Sequence, residues 1–138
     1  MFLLDTNVVS ELRKVNANKA NAKVKKWAEE TPGEQTFLSV ITIFELKRGI
    51  LLIERRDPSQ GNVLRQWLNS DVLVNYAERI IPLDTATAQR CASLHVPNPK
   101  SDYDAMIAAT ALEHNLIVVT RNTEDFEGTG TKLLNPWL

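Results

Sequence analysis

The stretch Phe2-Leu3-Leu4-Asp5-Thr6-Asn7-Val8-Val9-Ser10-Glu11-Leu12 decides the fold class of this chain. Its short apolar run gives way at once to polar residues, which predicts a buried strand that ends at Asp5 and a helix that begins just after it. Asp is a preferred N-cap, so one interpretation of Asp5 is a helix cap. The carboxyl edge of an open α/β sheet is also where such proteins bind ligands, so the other interpretation is a functional site.

The composition predicts one compact globular domain that spans residues 1–138. Hydrophobic residues make up 43% of the chain and charged residues 24%, which is enough apolar material for a full core. The N-terminal apolar run is too short for a signal peptide, and no stretch approaches the roughly 18 apolar residues of a membrane span. We therefore expect a cytoplasmic protein. The net charge is only −1, so any contact with nucleic acid must come from a local basic patch.

Short apolar segments alternate with helical patterns along the rest of the chain. This alternation predicts a parallel α/β sheet that is covered by helices on both faces. The single cysteine, Cys91, excludes a disulfide within the chain and is expected to pack in the core. Strands are expected at 37–38, 79–83 and 116–119, helices at about 20–27, 41–56, 64–68, 85–95 and 104–112, and turns or loops at 31–33, 57–61 and 96–100.

Three further acids lie at informative positions, and each has a structural alternative. Glu45 lies on an otherwise apolar face of a predicted helix, where an ion pair with Arg48 would also explain it. Asp104 opens a nearly all-apolar helix and could complete a capping box with Ser101. Asp125 follows a buried strand in a polar loop, where an acid is usually only solvated.

The predicted topology would bring these acids together. Right-handed crossovers place the carboxyl ends of neighbouring parallel strands, and the helix starts beside them, at one rim. Carboxylates that lie close together need a compensating cation, and an oxygen-only ligand set indicates Mg²⁺ or Mn²⁺ rather than zinc. The expected chemistry is phosphodiester hydrolysis by a metal-activated water. Asp102 should not share the site, because two residues along a helix correspond to about 200° of rotation.

Four segments and the C-terminal tail also resemble the signature blocks of PIN-domain toxins of the VapC/FitB type. The resemblance covers essentially the whole chain, with the blocks in the family's order and spacing. The blocks are Asp5–Leu12, Ser39–Gly49, Asp104–Ala111 and Val119–Phe126, and the tail is Phe126–Trp137.

The resemblance implies a three-layer α/β fold with a parallel five-stranded sheet, and a metal-dependent endoribonuclease that is the toxin of a toxin–antitoxin operon. Its implied partners are an RNA substrate, a cognate antitoxin and a second copy in a homodimer, with no membrane. The residues carried over by matching motif are Asp5 and Asp104 as principal metal ligands, Glu45 as third acid, Asp125 as fourth, Thr6 and Thr120 as polar supports, and Asn122 as a further supporting residue.

One loop departs from the family pattern, and two other functions remain open. Many members have a Gly-Arg element ahead of the Asp-Ala helix, where this chain has Leu94–Lys100; His95 in that loop is expected to be structural.

The main alternative function is a module that binds RNA or a peptide without cleaving it. A phosphotransfer or dehalogenase-like site on Asp5 is disfavoured, because Asn7 occupies the position where that class has a second acid. The basic residues expected near the rim are Arg13, Lys14, Lys47, Arg48 and Arg121.

Overall fold

The computed structural model describes residues 1–138 as a five-stranded sheet with helices on both faces. All strand pairs are parallel, and the strand order is β3-β2-β1-β4-β5. The strands are β1 (Phe2–Leu4), β2 (Thr36–Ser39), β3 (Ile80–Ile81), β4 (Ile117–Val119) and β5 (Leu133–Leu134). The helices are α1 (Thr6–Leu12), α2 (Ala22–Glu30), α3 (Val40–Arg56), α4 (Pro58–Trp67), α5 (Leu73–Asn75), α6 (Thr85–Leu94) and α7 (Asp102–His114).

The central strand β1 divides the core into two halves, because successive side chains of a strand point to opposite faces. Leu4 packs with Leu38 and Val119 in the half that is covered by α1, α3 and α4. Leu3 packs with Val118 in the half that is covered by α7. Both leucines are at most 1% exposed, which confirms a buried strand in the opening apolar run, although Phe2 at its start is only partly buried.

Most predicted elements are present with small changes at their ends, but the predicted turn at 57–61 is wrong. Asp57 is the N-cap of α4, and its Oδ1 accepts a hydrogen bond of 3.1 Å from the backbone N–H of Gln60. Pro58 occupies the first turn, where the fixed φ of proline suits a helix. The same Asp-Pro pair that is typical of turns therefore starts a helix directly after α3.

Two local predictions are confirmed. Asp84 caps α6, since its Oδ1 accepts a 2.9 Å hydrogen bond from the N–H of Thr87. Cys91 is buried on the same helix and packs against Ala105 and Ala109 of α7. No helix combines the length and the apolar character that crossing a membrane requires.

Candidate active site

Asp5 lies at the carboxyl end of the central strand and is held from several sides. Its Oδ1 accepts a 2.8 Å hydrogen bond from the N–H of Thr6, so it does cap α1. Its Oδ2 accepts hydrogen bonds from Thr120 Oγ1 at 2.8 Å and from Asn7 Nδ2 at 3.2 Å. The side chain is therefore fixed in orientation, and capping does not exclude a functional role.

Glu45 is linked to the start of α1 rather than to Arg48. Its Oε1 accepts a 2.8 Å hydrogen bond from the hydroxyl of Thr6, which also lies 3.1 Å from Thr42 Oγ1. The guanidinium of Arg48 instead donates to the hydroxyl of Tyr103 at 2.9 Å. The ion pair that would have given Glu45 a purely structural explanation is absent. Thr6 is hydrogen-bonded to Glu45, and its role as a polar support of the site stays a prediction.

Asp104 lies in the first turn of α7 and has the most perturbed carboxyl group of the site. Its pKa is raised to about 6, chiefly by burial and also by the neighbouring carboxylates of Asp5, Asp125 and Glu45. A hydrogen bond from Ser101 acts in the opposite direction and lowers this pKa. The carboxylates of Asp5, Asp125 and Glu45 are therefore close enough to Asp104 to influence its pKa.

The pKa of Asp5 is also raised, and burial is the largest cause. Hydrogen bonds from Thr120, Thr6 and Asn7 lower this pKa, while the carboxylate of Asp125 raises it. None of the groups that shift the pKa of Asp5 or Asp104 is a lysine or arginine. No lysine or arginine forms a salt bridge with any of the four predicted acids.

The loop after β4 carries Asp125 and two predicted supports. Thr120 is fully buried, donates to Asp5, and accepts a 3.0 Å hydrogen bond from the N–H of Asn122. Asp125 is exposed and lies in a short 3-10 turn that is anchored by Phe126, which is 1% exposed. Asn122 thus acts through its backbone on Thr120; a role for its side chain stays a prediction.

Asn7 is a supporting residue that sequence reasoning missed. Its Nδ2 donates to Asp5 Oδ2 and, at 3.3 Å, to Thr120 Oγ1, while its Oδ1 accepts from the N–H of Arg121 at 3.2 Å. An amide both donates and accepts, so one side chain joins the end of β1 to the loop after β4. The sequence did contain a signal for this role. Asn7 is a polar amide only two residues after Asp5, close enough along the chain to bond to its carboxylate.

The donor set fits Mg²⁺ or Mn²⁺, although no three ionisable side chains are arranged to enclose an ion together. Mg²⁺ is commonly bound by only one or two carboxylates, with water and substrate phosphate as its other ligands. Oxygen-only donors and uncompensated negative charge are what such an ion requires. Asp5 and Asp104 are the residues that would hold it.

Comparison with known proteins agrees with this geometry. The model of the PIN domain family matches residues 2–131. The chain belongs to the PIN domain family. The fold class predicted from the sequence is confirmed by a solved structure, FitAcB from Neisseria gonorrhoeae, with a TM-score of 0.89, 34% identity, and 99% of each chain covered.

Other relatives of this PIN domain are described as ribonucleases or toxins. It is 34% identical to the VapC ribonuclease Y4jK of Sinorhizobium fredii, over 99% of this chain and 98% of that protein. It is also 34% identical to Toxin FitB of Neisseria gonorrhoeae, with 99% of each chain covered. A toxin–antitoxin complex from Klebsiella pneumoniae matches with a TM-score of 0.69 and 27% identity, over 99% of this chain and 98% of that one. The predicted resemblance to VapC/FitB-type PIN domains is confirmed.

The loop that departs from the family pattern has a structural role in this PIN domain. His95 ends α6, and its Nδ1 accepts a 3.2 Å hydrogen bond from the N–H of Lys100. Its Nε2 lies 3.6 Å from Asp102 Oδ1, and the Asp102 side chain is 81% exposed. His95 therefore braces the loop, and Asp102 faces this loop and solvent while Asp104 faces the acidic rim.

Replacing Asp104 by Asn is expected to stabilise the metal-free PIN domain at neutral pH. Between the ordinary pKa of 3.8 and the folded-state pKa of about 6, the folded protein binds more protons than the unfolded one. Stability due to Asp104 is therefore lost as pH rises through this window. With a discount for solvent screening, we expect about 1 kcal/mol, or a few degrees in Tm, at pH above 7.

The measurement is a thermal melt of both proteins in EDTA at several pH values. The Asp104→Asn advantage should shrink as the pH approaches the ordinary pKa of aspartate, because both side chains are then neutral. An advantage that is the same at all pH values, or absent above pH 7, would show that Asp104 is not electrostatically destabilised in the folded protein.

Proposed function

We propose that this PIN domain is a Mg²⁺-dependent endoribonuclease that acts as the toxin of a type II toxin–antitoxin pair. The observation that carries the proposal is that the carboxylates of Asp5, Asp125 and Glu45 lie close enough to Asp104 to raise its pKa, while none of the four forms a salt bridge with a lysine or arginine. The names of the relatives, a VapC ribonuclease and Toxin FitB, support the reaction and the biological role.

The side chains of the site would have different roles in phosphodiester hydrolysis. Asp5 and Asp104 would hold Mg²⁺ or Mn²⁺, with Glu45 and Asp125 as the remaining acids of the site. When bound, the ion supplies Lewis-acid polarisation of the scissile phosphate and lowers the pKa of water. Thr120 and Asn7 fix the Asp5 carboxylate, so that it needs no reorientation during the reaction.

Glu45 would take up the proton of the attacking water. Its Oε1 is occupied by the Thr6 hydroxyl, whereas no protein group donates to its Oε2. The free oxygen would accept the proton of the water as the water oxygen bonds to phosphorus. The bond from phosphorus to the leaving oxygen breaks on the opposite side, and the leaving oxygen takes a proton from solvent. The alternative function, a module that binds RNA or a peptide without cleaving it, predicts no metal-dependent cleavage at all.

Divalent metal is expected to stabilise the folded protein. An ion that binds only the folded state raises the free energy of unfolding by about 2.7 kcal/mol at a hundredfold excess over Kd, which is roughly 10 °C in Tm. The measurement is a melt with and without millimolar Mg²⁺ or Mn²⁺, with NaCl at matched ionic strength as the control. Asp5→Asn should lose most of the gain. A melt that does not respond to either metal, with cleavage unchanged in EDTA, would contradict the proposed metal site.

Expression of this chain alone is expected to stop cell growth. The physical basis of inhibition by an antitoxin is the acidic rim, since a guanidinium binds paired carboxylates bidentately and replaces the charge of the metal. We expect a short neighbouring reading frame whose product binds this chain and restores growth, and we expect Asp5→Asn to be harmless. Harmless expression of protein that still cleaves RNA, with no small partner from its operon, would instead indicate a housekeeping nuclease.

We also propose that the protein acts in the cytoplasm, where its RNA substrate is. A further proposal is that it forms a homodimer. Large apolar side chains that are exposed on adjoining helices support self-association: Leu52 of α3 is 62% exposed and Val63 of α4 is 55% exposed. Light scattering coupled to size-exclusion chromatography measures the mass directly.

A further inference from the structure

An aromatic cluster with an arginine at its centre joins α3 to α7. The guanidinium carbon of Arg48 lies 5.1 Å from the ring centroid of Phe44 and 5.2 Å from that of Tyr103. The two rings meet edge to face with their centroids 5.5 Å apart. The hydrogen bond of 2.9 Å from Arg48 Nη1 to the Tyr103 hydroxyl fixes the guanidinium between them. We call Phe44, Arg48 and Tyr103 the aromatic–arginine cluster.

The cluster is accessible and its positive charge is not neutralised. Phe44 is 48% exposed, which is unusual for a ring that already has two partners. Neither Arg48 nor the adjacent Lys47 forms an ion pair, whereas Lys14, Arg65 and Arg90 are each paired with a glutamate. An open groove of about 520 Å³ on α3 includes Phe44 and Arg48 of the cluster. Its other lining residues are Lys47 and the apolar Val40, Ile43 and Leu51.

The cluster is built on the same two helices that carry two acids of the rim. Arg48 lies about one helical turn after Glu45 on α3, and Tyr103 immediately precedes Asp104 on α7. The acidic rim repels phosphate, so an RNA strand must be held by cations and apolar contacts beside it. The cluster is such a place, because rings and a guanidinium plane stack on any base while the unpaired cations attract the backbone.

We propose that the aromatic–arginine cluster is a binding subsite for a nucleotide that neighbours the scissile phosphate in single-stranded RNA. Phe44 provides the stacking surface, Arg48 stacks and neutralises phosphate, and Tyr103 positions Arg48. The inference rests on the proposed ribonuclease function for the identity of the ligand. The occupant is RNA rather than a second copy of this chain, because a buried interface would leave the charges of Lys47 and Arg48 desolvated and unpaired.

The test uses the full chain in an Asp5→Asn background, where bound RNA stays intact. The probes are a short fluorescein-labelled single-stranded RNA of mixed sequence and an abasic strand of the same length. Phe44→Leu keeps an apolar side chain but removes the ring, and Arg48→Ala removes the guanidinium. Arg56→Ala is the matched control, since it removes an exposed, unpaired arginine from the far end of α3. Circular dichroism and light scattering check the fold and mass of each variant.

We expect Phe44→Leu to weaken binding of the mixed-sequence RNA about tenfold and to leave the abasic strand almost unchanged. Arg48→Ala should weaken both, and Arg56→Ala neither. Equal affinity of Phe44→Leu and the Arg56→Ala control would overturn the inference. So would a loss of RNA affinity that is accompanied by a halved mass, because the face would then hold a second copy.

The outcome separates this inference from the ribonuclease proposal. Cleavage by the intact protein with Mg²⁺, together with unchanged RNA affinity in Phe44→Leu, would reject the subsite and leave the nuclease standing. Selective loss of affinity in Phe44→Leu, with no cleavage by the intact protein under any metal condition, would support the subsite and reject the nuclease.

Discussion

RNA cleavage is expected to fall about 100-fold or more in Asp5→Asn, Glu45→Gln and Asp104→Asn, each tested alone. Each change removes one negative charge from a rim where the carboxylates influence each other's pKa. Groups that act as one unit give losses that do not add, so the double variants should be little worse than the single ones. The measurement is the initial rate of cleavage of labelled RNA in Mg²⁺ by purified protein.

The matched control for this series is Asp102→Asn. It removes the same charge two residues before Asp104 on the same helix, but its side chain is 81% exposed and faces His95. We expect its cleavage rate to stay within about twofold of the intact protein, because a solvated charge is screened. If Asp102→Asn were inactive while Asp104→Asn cleaved RNA normally, the assignment of the site acid on α7 would be wrong.

The second large effect is a loss of folding stability when Gly61 is replaced by alanine. Helices α3 and α4 are in close contact at this glycine. A Cβ on Gly61 would lie 2.8 Å from the Cα of Glu54, which is backbone and cannot move aside. Glu54 is also held by its ion pair with Arg65. Gly61→Ala is therefore expected to lower the free energy of unfolding by about 1–3 kcal/mol, or roughly 5–10 °C in Tm.

Gly49→Ala on α3 is the matched control. No atom lies within 4 Å of a Cβ on Gly49, and the residue is in the interior of a helix. Alanine there should stabilise the protein by about 0.5–1 kcal/mol, because it lowers the backbone entropy of the unfolded chain. Thermal melts of the two variants should therefore move in opposite directions. A Gly61→Ala protein that melts at or above the intact protein would show that the two helices are not in close contact.

Local patterns in the sequence were sufficient for most elements of the fold. The apolar runs at Leu3-Leu4 and Val118-Val119 predicted buried strands, because a short continuous apolar run between polar segments is typical of a strand that is buried on both faces. Asp84 was recognised as a cap from its neighbours alone. The pair Asp57-Pro58 was misjudged as a turn, since the dipeptide suits both a turn and a helix start, and packing against α3 selects the helix.

The sequence by itself determined which acids are available at the candidate site, because the residue types Asp5, Glu45, Asp104 and Asp125 and the elements that carry them are local properties. Only the tertiary structure decided their surroundings. The hydrogen bond from Thr120 to Asp5 joins residues 115 positions apart, and the one from Thr6 to Glu45 joins residues 39 positions apart. Periodicity within a helix or strand carries no information over such separations. The strand order β3-β2-β1-β4-β5 brings these groups together. Burial there, together with the neighbouring carboxylates, raises the pKa of Asp104 to about 6.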